Sequence, residues 1–191
     1  MNDMVEVEHV IIQASGKGTR LEHQTRNKPK ALVSIAGQPL LYHLHHAFPH
    51  ATFYIVGDYK YEVLEKYLQV YPPKFKYFLI KSNGAGSCQG LREAVEKVRK
   101  NGGRSFGVVW CDLHFAKKVE IPDDEASWIG LTREFECRWS YDNGKLAEIR
   151  SDKSGVIGFF FFDERTAELP AIPAEGEFVR FLSECHANMK P

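Results

Sequence analysis

Short apolar runs alternate with helical segments through the first 112 residues, and this alternation limits the fold more than any other feature of the chain. Four runs of five to seven residues have the length of buried strands. They are Val7–Gln13, Thr52–Val56, Phe75–Ile80 and Phe106–Trp110, and the helical segments between them are Leu40–Phe48, Tyr61–Tyr71 and Ser87–Lys100. Because strand–helix–strand connections are right-handed and yield parallel strands, the alternation predicts a mostly parallel sheet covered by helices.

The residues after Asp112 follow a different pattern. Asp142-Asn143-Gly144 predicts a tight hairpin turn, and Gly155–Phe162 is apolar enough for a strand that is buried on both faces. The other predicted elements are the strands Trp128–Arg133, Glu136–Tyr141 and Lys145–Arg150 and a closing helix, Glu177–Ala187. We therefore predict an α/β fold of three layers, Rossmann-like, with a mostly parallel central mixed sheet, formed by residues 1–191 as a single domain.

The composition excludes several classes of protein. With 43% hydrophobic and 26% charged residues, the chain has the composition of a soluble globular protein. Its 25 basic and 25 acidic side chains cancel, which removes the electrostatic argument for nucleic-acid or membrane partners. No run reaches the roughly 18 apolar residues of a membrane span, and the first residues do not resemble a secretion signal. We expect a cytoplasmic protein.

The four cysteines give no sign of a disulfide framework or a zinc site. They are far apart in the chain and form no Cys-x-x-Cys pair: Cys88, Cys111, Cys137 and Cys185. Reduced thiols that fill space are the expected reading.

The loop after the first strand is rich in small and basic residues, in the order Ala14-Ser15-Gly16-Lys17-Gly18-Thr19-Arg20-Leu21. Small residues let the backbone N–H groups approach a phosphate, and the planar guanidinium of Arg20 suits phosphate oxygens. Ten residues later, Lys30 lies between Pro29 and the apolar pair Ala31-Leu32. A solvated turn would explain the glycines alone, because neither the Walker pattern nor G-x-G-x-x-G is present.

Three spaced elements together resemble the signature of the sugar-1-phosphate nucleotidyltransferases. They are A-S-G-K-G-T-R-L after an apolar strand, P-K-A-L, and the turn I-A-G-Q-P-L-L at Ile35–Leu41. One departure is Gln13-Ala14-Ser15, where the family usually has Leu-Ala-Ala or Leu-Ala-Gly. The resemblance implies a nucleotidyltransferase fold, with residues 1–112 as the nucleotide-binding half and residues 113–191 as the acceptor-binding half.

The resemblance also implies roles for this loop. The Gly16–Thr19 backbone is expected to hold the triphosphate, Arg20 to neutralise the leaving pyrophosphate, and Lys30 to contact the α-phosphate and the acceptor phosphate. Positioning and charge neutralisation are what phosphoryl-type transfer needs from a protein. The predicted nucleotide-binding residues of the loop are Ala14, Ser15, Gly16, Lys17, Gly18 and Thr19.

A second glycine loop opens the helix at Ser87. It is similar to the family's G-T-A-x-x-L stretch, whose backbone reads the nucleobase, with Gly86 and Ser87 at the Gly-Thr positions. In an alternative register Gly90-Leu91 takes those positions. A helix capped by Ser87 after a glycine turn would explain the same residues without any ligand.

Asp112 ends the fourth predicted strand. A carboxylate there could hold Mg²⁺, which favours oxygen ligands and bridges phosphates, although an aspartate at a strand end is also a common turn starter. The family has a Gly-Asp pair at this place, and Cys111 replaces the glycine. The resemblance thus implies that Asp112 is a catalytic residue and the Mg²⁺ ligand.

The second half matches the family less closely. Val156–Asp163 resembles a family strand whose glycine lies against the sugar, which makes Gly158 a predicted acceptor-binding residue. Lys153 stands where the family usually has Glu-Lys-Pro and is the second predicted acceptor-binding residue. The late aspartate that completes the family's Mg²⁺ site has no counterpart, so we expect a truncated or short member.

We therefore expect an enzyme that transfers a nucleotidyl group from a nucleoside triphosphate to a sugar 1-phosphate or similar phosphorylated acceptor. Pyrophosphate is released, an NDP-sugar forms, and Mg²⁺ is the cofactor. One alternative is a cytidylyltransferase for phosphocholine or another small alcohol phosphate, and another is a catalytically silent relative that binds nucleotide and regulates a partner. A molybdenum-cofactor guanylyltransferase fits less well, because its lysine lies closer to the glycine loop.

Four histidines lie in or just after the first predicted helix. His43, His46 and His50 could share one side of it, with His45 between them. Imidazoles at this spacing can bind zinc, but no cysteine or carboxylate is adjacent in sequence, so surface or interface histidines are expected. This helix is the candidate contact surface of a homo-oligomer.

Overall fold

The structure, a computed structural model, describes residues 3–165, 167–185 and 187–191. In chain order its strands and helices are β1 (Met4–Glu6), β2 (His9–Ala14), β3 (Ser34–Ile35), β4 (Gln38–Pro39), α1 (Leu40–Ala47), β5 (Thr52–Gly57), α2 (Tyr61–Val70), β6 (Tyr77–Lys81), α3 (Ser87–Lys100), β7 (Ser105–Trp110), β8 (Glu120–Pro122), β9 (Trp128–Thr132), β10 (Ser140–Asp142), β11 (Lys145–Ala147), β12 (Gly155–Asp163) and α4 (Phe178–Glu184). Two 3₁₀ segments, Thr19–Thr25 and Lys30–Leu32, lie between β2 and β3.

The central sheet has the order β11-β10-β12-β7-β2-β5-β6, and β9 also pairs with β12. Strands β7, β2, β5 and β6 are parallel to one another, whereas β12 is antiparallel to β7, with Phe159 opposite Val109. This is the α/β fold with a central mixed sheet that the strand–helix alternation predicts, and the fold class is confirmed.

Helices cover both faces of the sheet because the buried side chains of its strands alternate. On β2, Val10 and Ile12 pack in the cluster that includes Leu44 of α1 and Leu64 of α2. Ile11, between them, points to the opposite cluster, which includes residues of α3 and α4. Full burial of such an aliphatic side chain is worth about 1.5–3 kcal/mol, so the two apolar layers hold the helices against the sheet.

The hairpin in the second half forms where the sequence predicts it, but its strands are shorter. Asn143 and Gly144 both have positive φ, 48° and 77°, as a two-residue type I′ turn requires. The strand predicted over Glu136–Tyr141 is reduced to Ser140–Asp142, because residues 133–136 are exposed and Cys137 makes only an isolated bridge to Ser151. β1 and β8 form a short antiparallel ribbon that was not predicted from the sequence.

The carboxyl ends of the four parallel strands meet at one edge of the sheet. Ligands of open α/β sheets bind at this edge. The connections that leave it carry the glycine loop after β2, the glycine loop after β6, and Asp112 after β7. Among the described residues, no helix is both long enough and apolar enough to cross a bilayer.

Candidate active site

The glycine loop after β2 closes on itself and on the stem of Lys30. Gly18 has a left-handed backbone, with φ 63° and ψ 38°. Its carbonyl oxygen accepts the Leu21 N–H at 2.9 Å and the hydroxyl of the buried Thr25 at 3.0 Å. A Cβ at Gly18 would lie 3.0 Å from Thr25 Cγ2 and 3.2 Å from Lys30 Cβ. Position 18 therefore favours glycine, and this glycine packs directly against the stem of Lys30.

Lys30 and Asp112 form an ion pair at the carboxyl edge of the sheet. Lys30 begins a 3₁₀ segment directly after Pro29, and its Nζ bonds to Asp112 Oδ2. The two side chains are 26% and 36% exposed, so the pair lies within reach of a ligand. Asp112 is fixed because the preceding residue, Cys111, extends the sheet by donating its N–H to the carbonyl oxygen of Gln13 at 3.3 Å. Two predicted catalytic side chains that are 82 positions apart in sequence thus meet.

A cavity of about 650 Å³ opens beside this ion pair, and we call it the lysine–aspartate cavity. Its lining residues are Gly18, Thr19, Arg20, Leu21, Gln24, Lys30, Val33, Ser34, Ile35, Leu40 and Asp112. The glycine loop, Arg20, Lys30 and Asp112 make it polar, whereas Val33, Ile35 and Leu40 add an apolar wall. The cavity can therefore hold a charged group beside a less polar one.

The segment from Gly16 to Lys30 concentrates positive charge that the fold does not neutralise. It contains five lysines and arginines and a single acidic residue, Glu22. Within the described ranges, the ion pairs use only Lys30 from this segment. Because the whole chain has no net charge, this is a local positive field of the kind that attracts polyphosphates.

The other predicted residues of the loop differ in their surroundings. Ala14 ends β2 and is fully buried in the core, so only its backbone could meet a ligand. Ser15 is half-buried and Gly16 is exposed, and a Cβ at Gly16 would meet no heavy atom within 4 Å. Packing therefore does not require glycine at position 16. The predicted reason for glycine here is the close approach of a ligand phosphate to the backbone.

A second, smaller cavity of about 490 Å³ lies at the same loop, and we call it the outer loop cavity. It is lined by Lys17, Thr19, Glu22, His23, Thr25, Arg26 and Tyr59. Thr19 lines both this cavity and the lysine–aspartate cavity.

The second glycine loop is held by the chain itself. Gly176 donates its N–H to the carbonyl oxygen of Ala85 at 2.9 Å, and its own carbonyl oxygen accepts the Cys88 N–H at 3.1 Å. Gly86 has φ 104°, and a Cβ there would overlap the backbone of Gly176. The segment around Gly176 therefore crosses directly over the residue predicted to read the nucleobase.

The prediction that Ser87 caps α3 is wrong. Ser87 is the first helical residue, Gly86 precedes it, and no side chain caps the helix. The Ser87 hydroxyl instead accepts the Phe178 N–H at 2.8 Å, which joins α3 to the start of α4. Gly90, the alternative register, is buried, and a Cβ there would overlap the side chain of Val56, so close helix–sheet packing explains it.

The two predicted acceptor-binding residues are not brought into the lysine–aspartate cavity. Gly158 is buried with φ 89°, and a Cβ there would overlap the indole of Trp110. Packing against that ring is thus sufficient to require glycine. Lys153 is exposed and lines a separate cavity of about 780 Å³ beside the β10–β11 turn, which also contains Arg133 and Asn188.

The residues at the ion pair fit a Mg²⁺ ion in donor chemistry. In the part of the chain that the structure describes, no three histidine, cysteine or acidic side chains are grouped to hold a metal. Mg²⁺ does not need such a cage, because it usually takes one or two carboxylates, several waters and the oxygens of the substrate phosphates. The exposed carboxylate of Asp112 can supply that one ligand once Lys30 releases it.

The neighbouring thiol cannot contribute as a thiolate. Cys111 is fully buried, and burial, reinforced by the Asp112 carboxylate, raises the pKa of its thiol to about 12. The group is therefore protonated at neutral pH and acts as a packing residue, as the sequence analysis expects.

Two residues that were not predicted from the sequence also shape the site. Thr25 closes the glycine loop, and Tyr59, after β5, donates its hydroxyl to the carbonyl oxygens of Thr25 and Arg26 at 3.0 and 3.3 Å. A single threonine or tyrosine in a loop carries no spacing signal, so only the fold identifies them.

The histidines of α1 do not form a metal centre among the described residues. His43 Nε2 lies 2.8 Å from the carbonyl oxygen of Ile35, and its ring packs edge-on against His114 with centroids 5.3 Å apart. His50 lies beyond the end of α1 at Ala47, so the three-histidine face is not continuous. The role of this helix in an oligomer stays a prediction.

Comparison with known proteins agrees with the signature. The family described as the MobA-like NTP transferase domain matches residues 10–121. The bifunctional protein GlmU of Methanocaldococcus jannaschii is 30% identical over 112 residues, which are 58% of this chain. The match spans about a quarter of that protein, 26% of its length.

Solved structures share the fold over most of the chain. The inositol-1-phosphate CTP transferase of T. maritima has a TM-score of 0.69 at 15% identity and covers 96% of this chain and 82% of its own. HddC of Yersinia pseudotuberculosis, solved with GMP-PN, has a TM-score of 0.62 at 18% identity and covers 90% of this chain and 83% of its own. At these identities the likeness shows the fold alone.

Proposed function

Because the chain belongs to the MobA-like NTP transferase domain family, we propose that it is a Mg²⁺-dependent nucleotidyltransferase. The reaction transfers a nucleotidyl group from a nucleoside triphosphate to a sugar 1-phosphate or a similar phosphorylated acceptor and releases pyrophosphate. One observation carries the proposal. Lys30 and Asp112 meet beside the glycine loop, at the edge where α/β sheets bind their ligands.

The proposed reaction is a single displacement at phosphorus. An acceptor phosphate oxygen forms a bond to the α-phosphorus of the nucleotide, and the bond from that phosphorus to the bridging oxygen of the β-phosphate breaks. The electron pair of the broken bond leaves with pyrophosphate. In-line geometry and neutralisation of charge are the main requirements, and no covalent enzyme intermediate is needed.

Each predicted residue has a matching task in this proposal. The N–H groups of Gly16–Thr19 and the guanidinium of Arg20 donate hydrogen bonds to the leaving pyrophosphate and stabilise its negative charge. Lys30 aligns the α-phosphate and the acceptor phosphate by its positive charge. Asp112 would hold Mg²⁺, which when bound neutralises phosphate charge, and the lysine would exchange its carboxylate partner for phosphate oxygens.

The proposal assigns residues 1–112 to the nucleotide and residues 113–191 to the acceptor. Lys153 remains the candidate for an anionic group of the acceptor, because it lines a roomy cavity that also contains Arg133. For Gly158, Gly86 and Ser87 we propose only backbone contacts with the ligand. Packing already requires the two glycines, and the Ser87 hydroxyl already accepts the Phe178 N–H.

Cytidylyl transfer to an alcohol phosphate is the second candidate. The T. maritima structure, which covers 96% of this chain, is named for inositol 1-phosphate and CTP. A cyclic polyol phosphate therefore belongs in any acceptor panel, together with sugar 1-phosphates and phosphocholine.

The experiment is a pyrophosphate-release assay with each nucleoside triphosphate, Mg²⁺ and this panel of acceptors. One nucleotide–acceptor pair should give turnover, and Lys30→Ala or Asp112→Asn should lower it about a hundredfold or more while the fold is kept. Glu96→Gln, which removes an exposed charge on α3, is the matched control and should change nothing.

Two results would count against the proposal. Unchanged turnover in either site variant would reject the role of that residue. Thermal stabilisation by nucleotide without turnover for any pair would instead support the catalytically silent relative.

A further inference from the structure

The carboxyl end of β2 carries a buried polar atom that the fold does not use. Gln13 precedes Ala14, the last residue of β2, and so stands directly before the first glycine loop. Its side chain is half-buried, and its amide nitrogen, Nε2, is buried without a hydrogen-bond partner among the described residues. A buried donor that is left unpaired costs stability, so the amide calls for an explanation outside the packing of the chain.

The side chain of Gln13 lies on the face of the sheet that α3 covers. Side chains alternate along a strand, and Ile11 points to the cluster that includes residues of α3, so Gln13, two residues later, lies on the same face. Its partners in register are Val56 of β5 and Trp110 of β7. Val56 belongs to this cluster and Trp110 packs against it. The amide therefore stands at the carboxyl edge of the sheet, between an aliphatic side chain and an indole.

This position lies between the two glycine loops. The first loop follows Gln13 in sequence, and the second opens α3, whose first turns pack against the neighbouring strand, since a Cβ at Gly90 would overlap the side chain of Val56. The lysine–aspartate cavity lies toward the other face, because Leu40, which begins α1, lines it. A nucleotide whose triphosphate follows the first loop can thus place its base on the α3 face, beside Gln13.

Another unpartnered polar atom on this face, the hydroxyl oxygen of Ser82, has different surroundings. Ser82 is only 4% exposed, and its Oγ lies 3.4 Å from the place of a Cβ at Gly90, so α3 encloses it. Gln13 is partly exposed, and the terminal torsion of a glutamine side chain is broad. Its Nε2 gives up no hydrogen bond when the amide turns outward. Gln13 can therefore reach a ligand, whereas Ser82 cannot.

We propose that Gln13 selects the nucleobase, with its carboxamide turned outward to hydrogen-bond the polar edge of the base. A carboxamide offers a donor and an acceptor side by side, which matches neighbouring acceptor and donor atoms on a base. The indole of Trp110, next to Gln13, offers a flat surface for the ring. The inference rests on the proposed function and deepens it, because it adds a side chain to a base site that is otherwise assigned to loop backbone. The signature usually has leucine at this position, so the amide is a feature of this chain.

The test is equilibrium binding of ATP, GTP, CTP, UTP and inorganic tripolyphosphate, which has no base, all with Mg²⁺. The wild-type protein should prefer one base. Gln13→Leu and Gln13→Met remove the amide and should weaken binding of the preferred nucleotide about five- to fiftyfold, as loss of one or two hydrogen bonds to a base does. Binding of tripolyphosphate should stay unchanged in both. Ser82→Ala removes the enclosed polar atom of the same face, is the matched control, and should keep the wild-type preference.

Thermal unfolding of the same proteins separates this role from a structural one. Because the fold gives Nε2 no partner, Gln13→Leu should unfold at the wild-type temperature or above it. The inference is overturned if Gln13→Leu keeps the wild-type base preference, or if it unfolds at a lower temperature and loses tripolyphosphate and nucleotides equally. It is also overturned if the wild type binds every base alike. Failure of the proposed function is a different result, namely a base preference that depends on Gln13 in a protein that releases no pyrophosphate with any acceptor.

Discussion

The two glycine loops at the carboxyl edge of the sheet look alike in sequence and differ in structure. In the loop after β2, a Cβ at Gly16 would meet no heavy atom within 4 Å, and the neighbouring Lys17 and Arg20 form no ion pair with the described residues. In the loop before α3, the backbone of Gly176 covers Gly86, and the Phe178 N–H donates a hydrogen bond to the hydroxyl of Ser87. The backbone of the first loop is therefore accessible to a ligand. The glycines of the second loop instead allow the close contact that joins α3 to the segment before α4.

The comparison teaches that glycine spacing alone does not identify a ligand loop. What separates the two loops is charge: the first is followed by five lysines and arginines within fifteen residues, from Gly16 to Lys30. A backbone that is open and lies in a positive field is suited to phosphate, and a backbone that is covered by its own chain is suited to packing.

The largest expected effect belongs to the covered loop. Gly86→Ala places a Cβ against the Gly176 backbone at a φ of 104°, so both strain and overlap oppose it. We expect the free energy of unfolding to fall by about 2–4 kcal/mol, measured by urea unfolding. An unchanged unfolding midpoint would show that the segment around Gly176 moves away easily and that the loop is free for a nucleobase.

A smaller effect of another kind is expected in the open loop. Gly16→Ala meets no heavy atom within 4 Å and should keep the wild-type stability. Its methyl group would hold a phosphate away from the backbone, so we expect triphosphate affinity to fall about tenfold, the equivalent of about one charge-assisted hydrogen bond. Calorimetric titration on both glycine variants checks this, and a stability loss like that of Gly86→Ala would remove the contrast between the loops.

The smallest effect concerns the ion pair itself. In the free protein Lys30 occupies the carboxylate that we assign to Mg²⁺, and a pair this exposed is worth about 0.2–1 kcal/mol. Lys30→Met should therefore bind Mg²⁺ alone about two- to fivefold more tightly than the wild type. Lys28→Met removes a charge from the same segment without freeing Asp112 and is the matched control. Equal Mg²⁺ affinity in all three proteins would mean that Asp112 does not hold the metal.

The first 112 residues were predictable because their signals are local. Helix α3 begins and ends where its apolar periodicity and its Asn-Gly stop predict, and β2, β5 and β7 differ from the predicted strands by at most two residues at either end. The second half was less predictable, because β10 and β11 are only three residues long and owe their position to pairing with distant strands.

The site was predictable to the same extent. The meeting of Lys30 and Asp112 follows from two short motifs and the rule that strand ends converge. The covering of Gly86 by Gly176 and the support of Arg26 by Tyr59 join residues that are far apart in sequence and have no pattern in common. Such contacts follow from the complete fold and not from any segment of it.

The most direct test of the account is a crystal structure with Mg²⁺ and a non-hydrolysable nucleoside triphosphate. The account predicts the triphosphate over Gly16–Thr19, with Lys30 turned from Asp112 to the α-phosphate and the carboxylate in contact with the metal. A triphosphate bound elsewhere, for example in the cavity beside the β10–β11 turn, with the Lys30–Asp112 pair intact, would contradict it.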